Sequence, residues 1–199
     1  MDELIIPPPQ SKKDTPPVTA VRAFVFLSGQ KWMQKKGVFA KFQELLPEHL
    51  RKYLTTMTAM DWLPLDDALE VYATLDRLEL NASEQVELGR TVSAANNGLV
   101  ITTLSRLAGG VGVTPWFALQ HAHRTWLRSN RGGAIAVYKI ADKACRLEFW
   151  QVPLARSPFF VTSMRGAIAV GIEPFCKRLV VSELATYTTS DGFALRLAW

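Results

Sequence analysis

The sequence predicts an α+β fold, in which an N-terminal strand and a layer of helices pack on an antiparallel sheet with a C-terminal β-β-α-β-β order. The middle of the chain carries apolar residues at helical spacing, whereas the last third consists of two strand pairs that flank one apolar helix. The link within each strand pair is too short for a crossover, so the paired strands must run antiparallel. A hydrophobic content of 48% in 199 residues is enough to build one buried core.

Residues 1–20 are predicted to form a proline-rich N-terminal tail outside the core, and residues 21–199 a single domain. The tail holds five of the eleven prolines, and Leu4, Ile5 and Ile6 are the residues that could anchor it. Acidic residues precede the first apolar stretch, which is the wrong order for a secretory signal. No apolar run approaches the roughly 18 residues of a bilayer span. We therefore expect a cytoplasmic protein without a transmembrane segment.

The first half of the domain is predicted to contain one strand followed by helices. Val21–Ser28 is rich in β-forming residues and ends at a glycine, which indicates a strand. Apolar residues then recur at helical spacing over residues 39–54, where Pro47 starts a second helix, and again over Leu65–Leu78.

A long central helix is predicted to follow. Asn81 and Glu84 have the spacing of a capping box at its start, and Gly109-Gly110 would end it. Gly89 and several other small residues make this helix thin, which lets a second backbone approach closely. We therefore expect it to lie centrally in the fold.

The next helix is predicted to begin at Thr114-Pro115 and to run to about Ser129. Two strands follow, at residues 134–141 and 144–151, and Asp142-Lys143 is a two-residue hairpin turn between them.

The final segment is predicted to be a helix and a second hairpin. The helix begins at Pro158 and extends to about Ile172. The hairpin strands, at residues 177–187 and 193–199, meet around Ser190-Asp191-Gly192.

This closing arrangement resembles an uncharacterised bacterial domain family whose members end in a tryptophan-terminated strand after an aspartate-glycine turn. The resemblance is carried by Pro158-Phe-Phe-x5-Gly166-Ala-Ile168, Gly171, Asp191-Gly192 and Trp199, and in the central helix by Leu88-Gly89-Arg90, Gly98, Thr102, Thr103 and Arg106. More distantly, the helix-then-hairpin ending is similar to 4-vinyl reductase sensor domains. Those share a fold with heme nitric-oxide-binding domains and with TRAPP transport-particle subunits.

The resemblance implies an α+β scaffold with an apolar cavity or an apolar dimer surface. Heme-binding members of this fold use a helix histidine together with a Tyr-x-Ser-x-Arg cluster that holds the heme propionates, and this chain has no such cluster. The 4-vinyl reductase domains often carry cysteines near the final hairpin, which contains none here. We therefore expect no cofactor.

Metal and catalytic sites are not predicted. His121 and His123 lie two residues apart, which on a helix points them away from each other, and no histidine stands at the i, i+4 spacing of a helical zinc motif. The alternatives for His121 are a half-buried, hydrogen-bonded side chain and an axial heme ligand. The sequence also lacks a nucleophile elbow and a C-x-x-C pair, so we do not expect an enzyme.

Arg124, Arg128 and Arg131 are predicted to form a stripe along one helix, at i, i+4 and i+7. The chain has a formal net charge of +5 and residues 88–141 contain no acid, so this stripe, with His121, is a candidate anion- or ligand-binding surface. Complementation of the helix dipole is the simpler explanation. An alternative function of a different class uses the same stripe: a basic nucleic-acid-associated protein.

The six tryptophans exceed the needs of a core of this size, and such an excess favours an interface or an apolar pocket. Trp126, Trp150 and Trp199 are therefore predicted interface residues, and Gly166 is a fourth because the glycine-bearing helix Pro158–Ile172 is predicted to form the main packing surface. The sequence as a whole predicts a non-enzymatic sensor or adaptor domain. It would bind a small apolar or anionic ligand or a protein partner, and it would self-associate as a dimer.

Overall fold

The structure, a computed structural model, describes the backbone of residues 2–108 and 114–199 and the side chains of residues 2–96 and 114–199. Its helices are α1 (Phe24–Leu27), α2 (Gln30–Lys35), α3 (Phe39–Leu45), α4 (Glu48–Thr56), α5 (Leu65–Asp76), α6 (Ala82–Ala108), α7 (Pro115–Leu119), α8 (Ala122–Ser129) and α9 (Pro158–Ile172). Its strands are β1 (Glu3–Ile6), β2 (Ala20–Arg22), β3 (Trp62–Pro64), β4 (Asn130–Arg131), β5 (Ala134–Ala141), β6 (Ala144–Trp150), β7 (Val180–Glu183) and β8 (Gly192–Ala198). The predicted helix end at Gly109-Gly110 lies outside the described residues.

The described strands form two antiparallel sheets, ordered β1-β5-β6-β8-β7 and β3-β2-β4. In the larger sheet β5 and β6 form the hairpin predicted at Asp142-Lys143, and β7 and β8 form the second pair. Between them α9 packs on the sheet, where Phe160 lies edge-on to Phe193 of β8 at 5.7 Å. The predicted α+β class and its β-β-α-β-β ending are confirmed.

One face of the larger sheet forms the floor of the core. Alternate residues of β6 and β8 point to this face, as the two-residue period of a strand requires. They include Leu147, Leu195 and Leu197, which are fully buried. Phe149 and Phe193 lie opposite each other in the strand register, and their rings stack at 4.2 Å.

The long helix α6 begins with the predicted capping box. The Asn81 side chain accepts a hydrogen bond from the Glu84 backbone at 3.1 Å, and the Glu84 carboxylate accepts one from the Asn81 backbone at 3.1 Å. Both interactions satisfy backbone donors that the first turn of a helix leaves without intrahelical partners. The local sequence signal therefore predicted this helix start correctly.

Two predicted elements differ from the structure. Within the strand predicted at Val21–Ser28, β2 ends at Arg22 and Phe24–Leu27 is helical, because Phe26 turns inward to pack edge-on against Tyr72 at 5.5 Å. The single helix predicted over residues 114–129 is split into α7 and α8 by a break at His121. In both places tertiary packing overrides the structure that the local sequence pattern predicts.

The N-terminal segment does not lie outside the core, contrary to the prediction. Its anchor, Leu4–Ile6, belongs to β1, which pairs with β5 at the edge of the larger sheet. Further along, Thr15 and Val18 are buried, and the Gly133 backbone donates a hydrogen bond to the Pro16 carbonyl at 2.8 Å. The proline content therefore marks an extended segment that packs along the domain. A boundary between residues 20 and 21 stays a prediction.

The helices α6 and α9 pack with their backbones in contact. A Cβ atom at Gly89 of α6 would overlap the Ser163 carbonyl group, and one at Gly166 of α9 would overlap the Val86 carbonyl oxygen. The predicted interface at Gly166 is corrected by this contact, because that face of α9 is buried on α6 within the same chain. No helix in the described part of the chain is long and apolar enough to cross a membrane.

Replacement of Gly166 by alanine is expected to lower the free energy of unfolding by about 3 kcal/mol, because α6 and α9 must separate to admit the new methyl group. Urea unfolding followed by circular dichroism measures the change. Gly171→Ala is the matched control on the same helix, since a Cβ there meets no atom within 4 Å. It should be neutral or stabilise by up to about 1 kcal/mol. Equal destabilisation by both variants would contradict a specific helix contact.

Candidate ligand-binding cavity

A cavity of about 210 Å³ lies between the helices and the larger sheet. It is bounded by α1, α6, α8, α9 and the inner face of β5 and β6. Its walls are mainly apolar, with Phe160, Met164 and Ile168 contributed by α9 and Ile135 and Leu147 by the sheet. A cavity with such walls favours apolar ligands over water.

The mouth of the cavity is formed by one face of α8. Among the described lining residues the exposed ones are His121, Thr125 and Arg128. Their spacing of four and then three residues places them in one row along the helix, with the first and last about 10 Å apart. None of these three side chains has a hydrogen bond or ion pair with a described residue, so their polar groups are available to a ligand.

Three polar side chains of the inner wall are, in contrast, already paired within the chain. Ser93 donates to the Ala167 carbonyl at 3.0 Å, and the Asn96 amide donates to the Val92 carbonyl at 2.6 Å. Asn130 likewise donates to a backbone carbonyl, at 3.2 Å. Because a buried polar group costs free energy unless it is hydrogen-bonded, this pairing lets the interior of the cavity behave as an apolar surface.

Tyr72 lies at the deep end of the cavity, on α5. Its ring is buried between the rings of Phe26 and Phe160, at 5.5 and 5.1 Å. Burial raises the pKa of the phenol, so the hydroxyl stays protonated and can donate a hydrogen bond. The described residues provide no acceptor for it. Tyr72 could be recognised from sequence as a core residue, but nothing in the sequence shows that it reaches a cavity.

The predicted arginine stripe is not formed. Arg128 lines the cavity, whereas Arg124, one turn earlier on α8, is exposed and lies outside the lining. Arg131 is beyond the end of α8, in β4, where its guanidinium stacks on the ring of Trp62 at 4.5 Å. The nucleic-acid interpretation depended on a continuous stripe, and it loses that basis.

The tryptophans predicted at an interface instead serve the interior of the chain. Trp126 is buried on the cavity wall and donates to the Gly132 carbonyl at 2.9 Å. Trp150 is buried on the other face of the sheet and donates to the Glu148 carboxylate at 3.0 Å. Trp199 is half-buried, edge-on to a tryptophan of α7 at 4.9 Å. The two buried side chains cannot reach a partner, so the interface prediction is corrected there.

The two histidines predicted to diverge do so. His121 lies at the cavity mouth, edge-on to Phe117 at 5.4 Å, whereas His123 faces the sheet and accepts a hydrogen bond from the Ile135 backbone at 3.4 Å. Desolvation lowers the pKa of His123 below its ordinary value of 6.5, consistent with this acceptor role. Within the described residues, no three histidine, cysteine or acidic side chains cluster in a way that could hold a metal ion.

Solved structures share this architecture. An H-NOX protein from K. algicida, in the Fe(II) unliganded state, is 9% identical, and the match covers 89% of this chain and 95% of that chain with a TM-score of 0.61. A Cs H-NOX variant is 14% identical over 89% and 95% of the two chains, with a TM-score of 0.56. An oxygen-binding H-NOX domain related to soluble guanylate cyclases is 13% identical over 89% and 94%, with a TM-score of 0.51. The chain has the H-NOX fold.

The likeness to H-NOX domains concerns the fold alone, because the identities are low. It confirms the heme nitric-oxide-binding part of the resemblance at that level. The uncharacterised bacterial family, the 4-vinyl reductase domains and the TRAPP subunits stay expectations. No family model matches the sequence, and no curated protein matches it.

The stability of the protein is expected to fall as the pH is lowered through about 6.5, because burial makes His123 take up a proton less readily in the folded state than in the unfolded state. This stability is fully present above the unfolded pKa and is lost as the pH falls towards the lower folded value. Urea unfolding at about pH 7.5 and about pH 5.5 measures the difference.

His123→Gln should make this pH dependence shallower, since glutamine cannot take up the proton. If His123→Gln keeps the wild-type pH dependence, the acid sensitivity has another origin.

Proposed function

We propose that this domain is a sensor for a small, largely apolar molecule with one anionic end, which it binds in the cavity under α8. The observation that carries the proposal is the division of polar groups in the lining. Most amide and hydroxyl side chains of the inner wall are hydrogen-bonded within the chain. At the mouth, His121, Thr125 and Arg128 have no such partner among the described residues. A ligand with an apolar body and a charged head matches this division.

The charge of the mouth favours an anion. Arg128 has no acidic partner among the described residues, and a guanidinium offers a fork of donors that suits a carboxylate. Thr125, one turn from His121 on the same face, adds a hydroxyl that can donate to the same group. The neighbouring helix α7 (Pro115–Leu119) contains no acidic residue, so it adds no negative charge at the mouth of the cavity.

Heme is the competing ligand, since one fold relative is described as an Fe(II) protein and another as an oxygen complex. Imidazole is a common axial ligand of heme iron, and His121 lies on the lining. A heme, however, carries two carboxylates, and the described lining offers one cation, Arg128. The Tyr-x-Ser-x-Arg cluster is also missing from the sequence. This set of residues does not fit heme.

Arg128→Ala is expected to raise the Kd for decanoate about ten-fold, equivalent to about 1.4 kcal/mol, through loss of the ion pair. The Kd for the uncharged analogue 1-decanol should not change. Isothermal titration calorimetry at fixed salt measures both ligands on the same protein.

Arg124→Ala is the matched control, because it removes the same charge from the same helix at a position outside the lining. It should leave both dissociation constants at their wild-type values. If Arg124→Ala weakens decanoate as much as Arg128→Ala does, the effect is one of overall charge and the proposed site is wrong.

Purified protein mixed with hemin is expected to show the absorption spectrum of unbound hemin, and native mass spectrometry should find no adduct of heme mass. We expect no heme to bind because heme has two propionates, whereas the described lining offers Arg128 as its one cation. A stoichiometric heme adduct that disappears in His121→Ala would overturn the proposed ligand class in favour of a heme sensor.

A further inference from the structure

A second, smaller cavity of about 80 Å³ lies directly behind the first. It is lined by α1, α2, α3, α5, α6 and α9. Residues that line it without lining the first cavity include Met33, Val71, Leu75 and Leu88. These side chains are buried and apolar. The second cavity therefore provides further space for apolar atoms and no charge.

The two cavities are neighbours that share one wall. Val25, Tyr72, Val92, Met164 and Ala167 line both of them. Met164 is an unbranched, flexible side chain, and methionine adapts its shape to what packs against it. Movement of this side chain between rotamers would join the two spaces without a change in the backbone.

The backbone contact of α6 and α9 forms part of the wall of the second cavity. Gly89 and Ser163 belong to the lining of the second cavity, and here the helices touch through their backbones. Their larger side chains, such as Leu88 and Met164, therefore stand to the side of the contact. The combined space runs from the polar mouth on α8, past Met164, to the helices of the N-terminal half.

We infer that the ligand is a straight-chain amphipathic acid, whose carboxylate lies at His121, Thr125 and Arg128 and whose acyl chain passes Met164 into the second cavity. This inference rests on the proposed function and adds the shape of the ligand to it. A planar ligand of the same polarity would fill the first cavity alone. A chain of single bonds can turn past Met164 and bury its end among Val71, Leu75 and Leu88.

Tyr72 lies beside this path, in the lining of both cavities. Its hydroxyl has no acceptor among the residues described, and its position in both linings places the residue beside the middle of the acyl chain. An acid that carries an oxygen there, such as a hydroxy or keto acid, could accept its hydrogen bond. Such a ligand should therefore bind more tightly than the plain acid of equal length, and Tyr72→Phe should remove the difference.

The test is a titration with hexanoate, decanoate and tetradecanoate by isothermal titration calorimetry, below their micelle concentrations. In the wild-type protein each added methylene that becomes buried should lower the Kd about four-fold, the equivalent of about 0.8 kcal/mol. The gain should continue from hexanoate to the longer chains.

Val71→Phe fills the second cavity from α5, and Met164→Phe obstructs the passage from α9. Val71→Phe should leave the Kd of hexanoate unchanged and remove most of the further gain from the longer acids. Met164→Phe also alters the wall of the first cavity, so its effect is measured against its own Kd for hexanoate, from which the longer acids should gain little. Ala122→Leu narrows the first cavity at its mouth and should weaken all three acids alike. Circular dichroism and thermal unfolding establish that each variant is folded. Because the two obstructing substitutions lie on different helices, the test remains valid if one of the two variants does not fold.

The possible outcomes separate the two proposals. If the wild-type protein binds hexanoate through Arg128 but gains nothing from longer chains, the proposed function stands and the acyl-chain inference is overturned. Equal weakening of all three acids by Val71→Phe and Met164→Phe would overturn it as well. If no acid of any length binds, the proposed ligand class itself fails.

Discussion

The architecture depends on the backbone contact between α6 and α9, at which Gly89 meets Ser163 and Gly166 meets Val86. Protein interiors are close-packed, so two helices that touch through their backbones push their larger side chains to either side of the contact. On those sides the helices can enclose space that they cannot fill. Both cavities border this helix pair, which places the candidate site where the packing of the fold leaves room for a ligand.

The break between α7 and α8 gives the site its polarity. His121 stands at the break, and α8 then runs over the inner wall with Trp126 turned inward and Thr125 and Arg128 turned to the mouth. His123, on the other side of α8, accepts a hydrogen bond from β5 and holds the helix against the sheet. One short helix therefore supplies both a part of the apolar wall and the polar rim.

Aromatic residues and the N-terminal segment, which suggested an interface and a tail in the sequence, pack within the chain on the outer face and the edge of the larger sheet. On the outer face of the sheet the guanidinium of Arg146 lies between the rings of Tyr138 and Tyr187, at 4.5 and 4.7 Å. Asp2 and Glu148 pair with it there, and the N-terminal strand extends the sheet alongside. Part of this face is therefore covered from within the chain. Trp150, Tyr138 and Tyr187 belong to this covering rather than to a surface for a partner.

Local signals in the sequence determined the strand pairs, the capping box at Asn81 and the limits of α9, because hydrophobic periodicity and turn chemistry act over a few residues. They also identified His121 and Arg128 as candidate ligand contacts, although not their relation to each other or to Tyr72. That relation was decided by tertiary structure, since whether a helical residue faces a cavity depends on the helices packed beside it. The same holds for Gly166: the sequence shows that a backbone approaches there, but the fold decides which one.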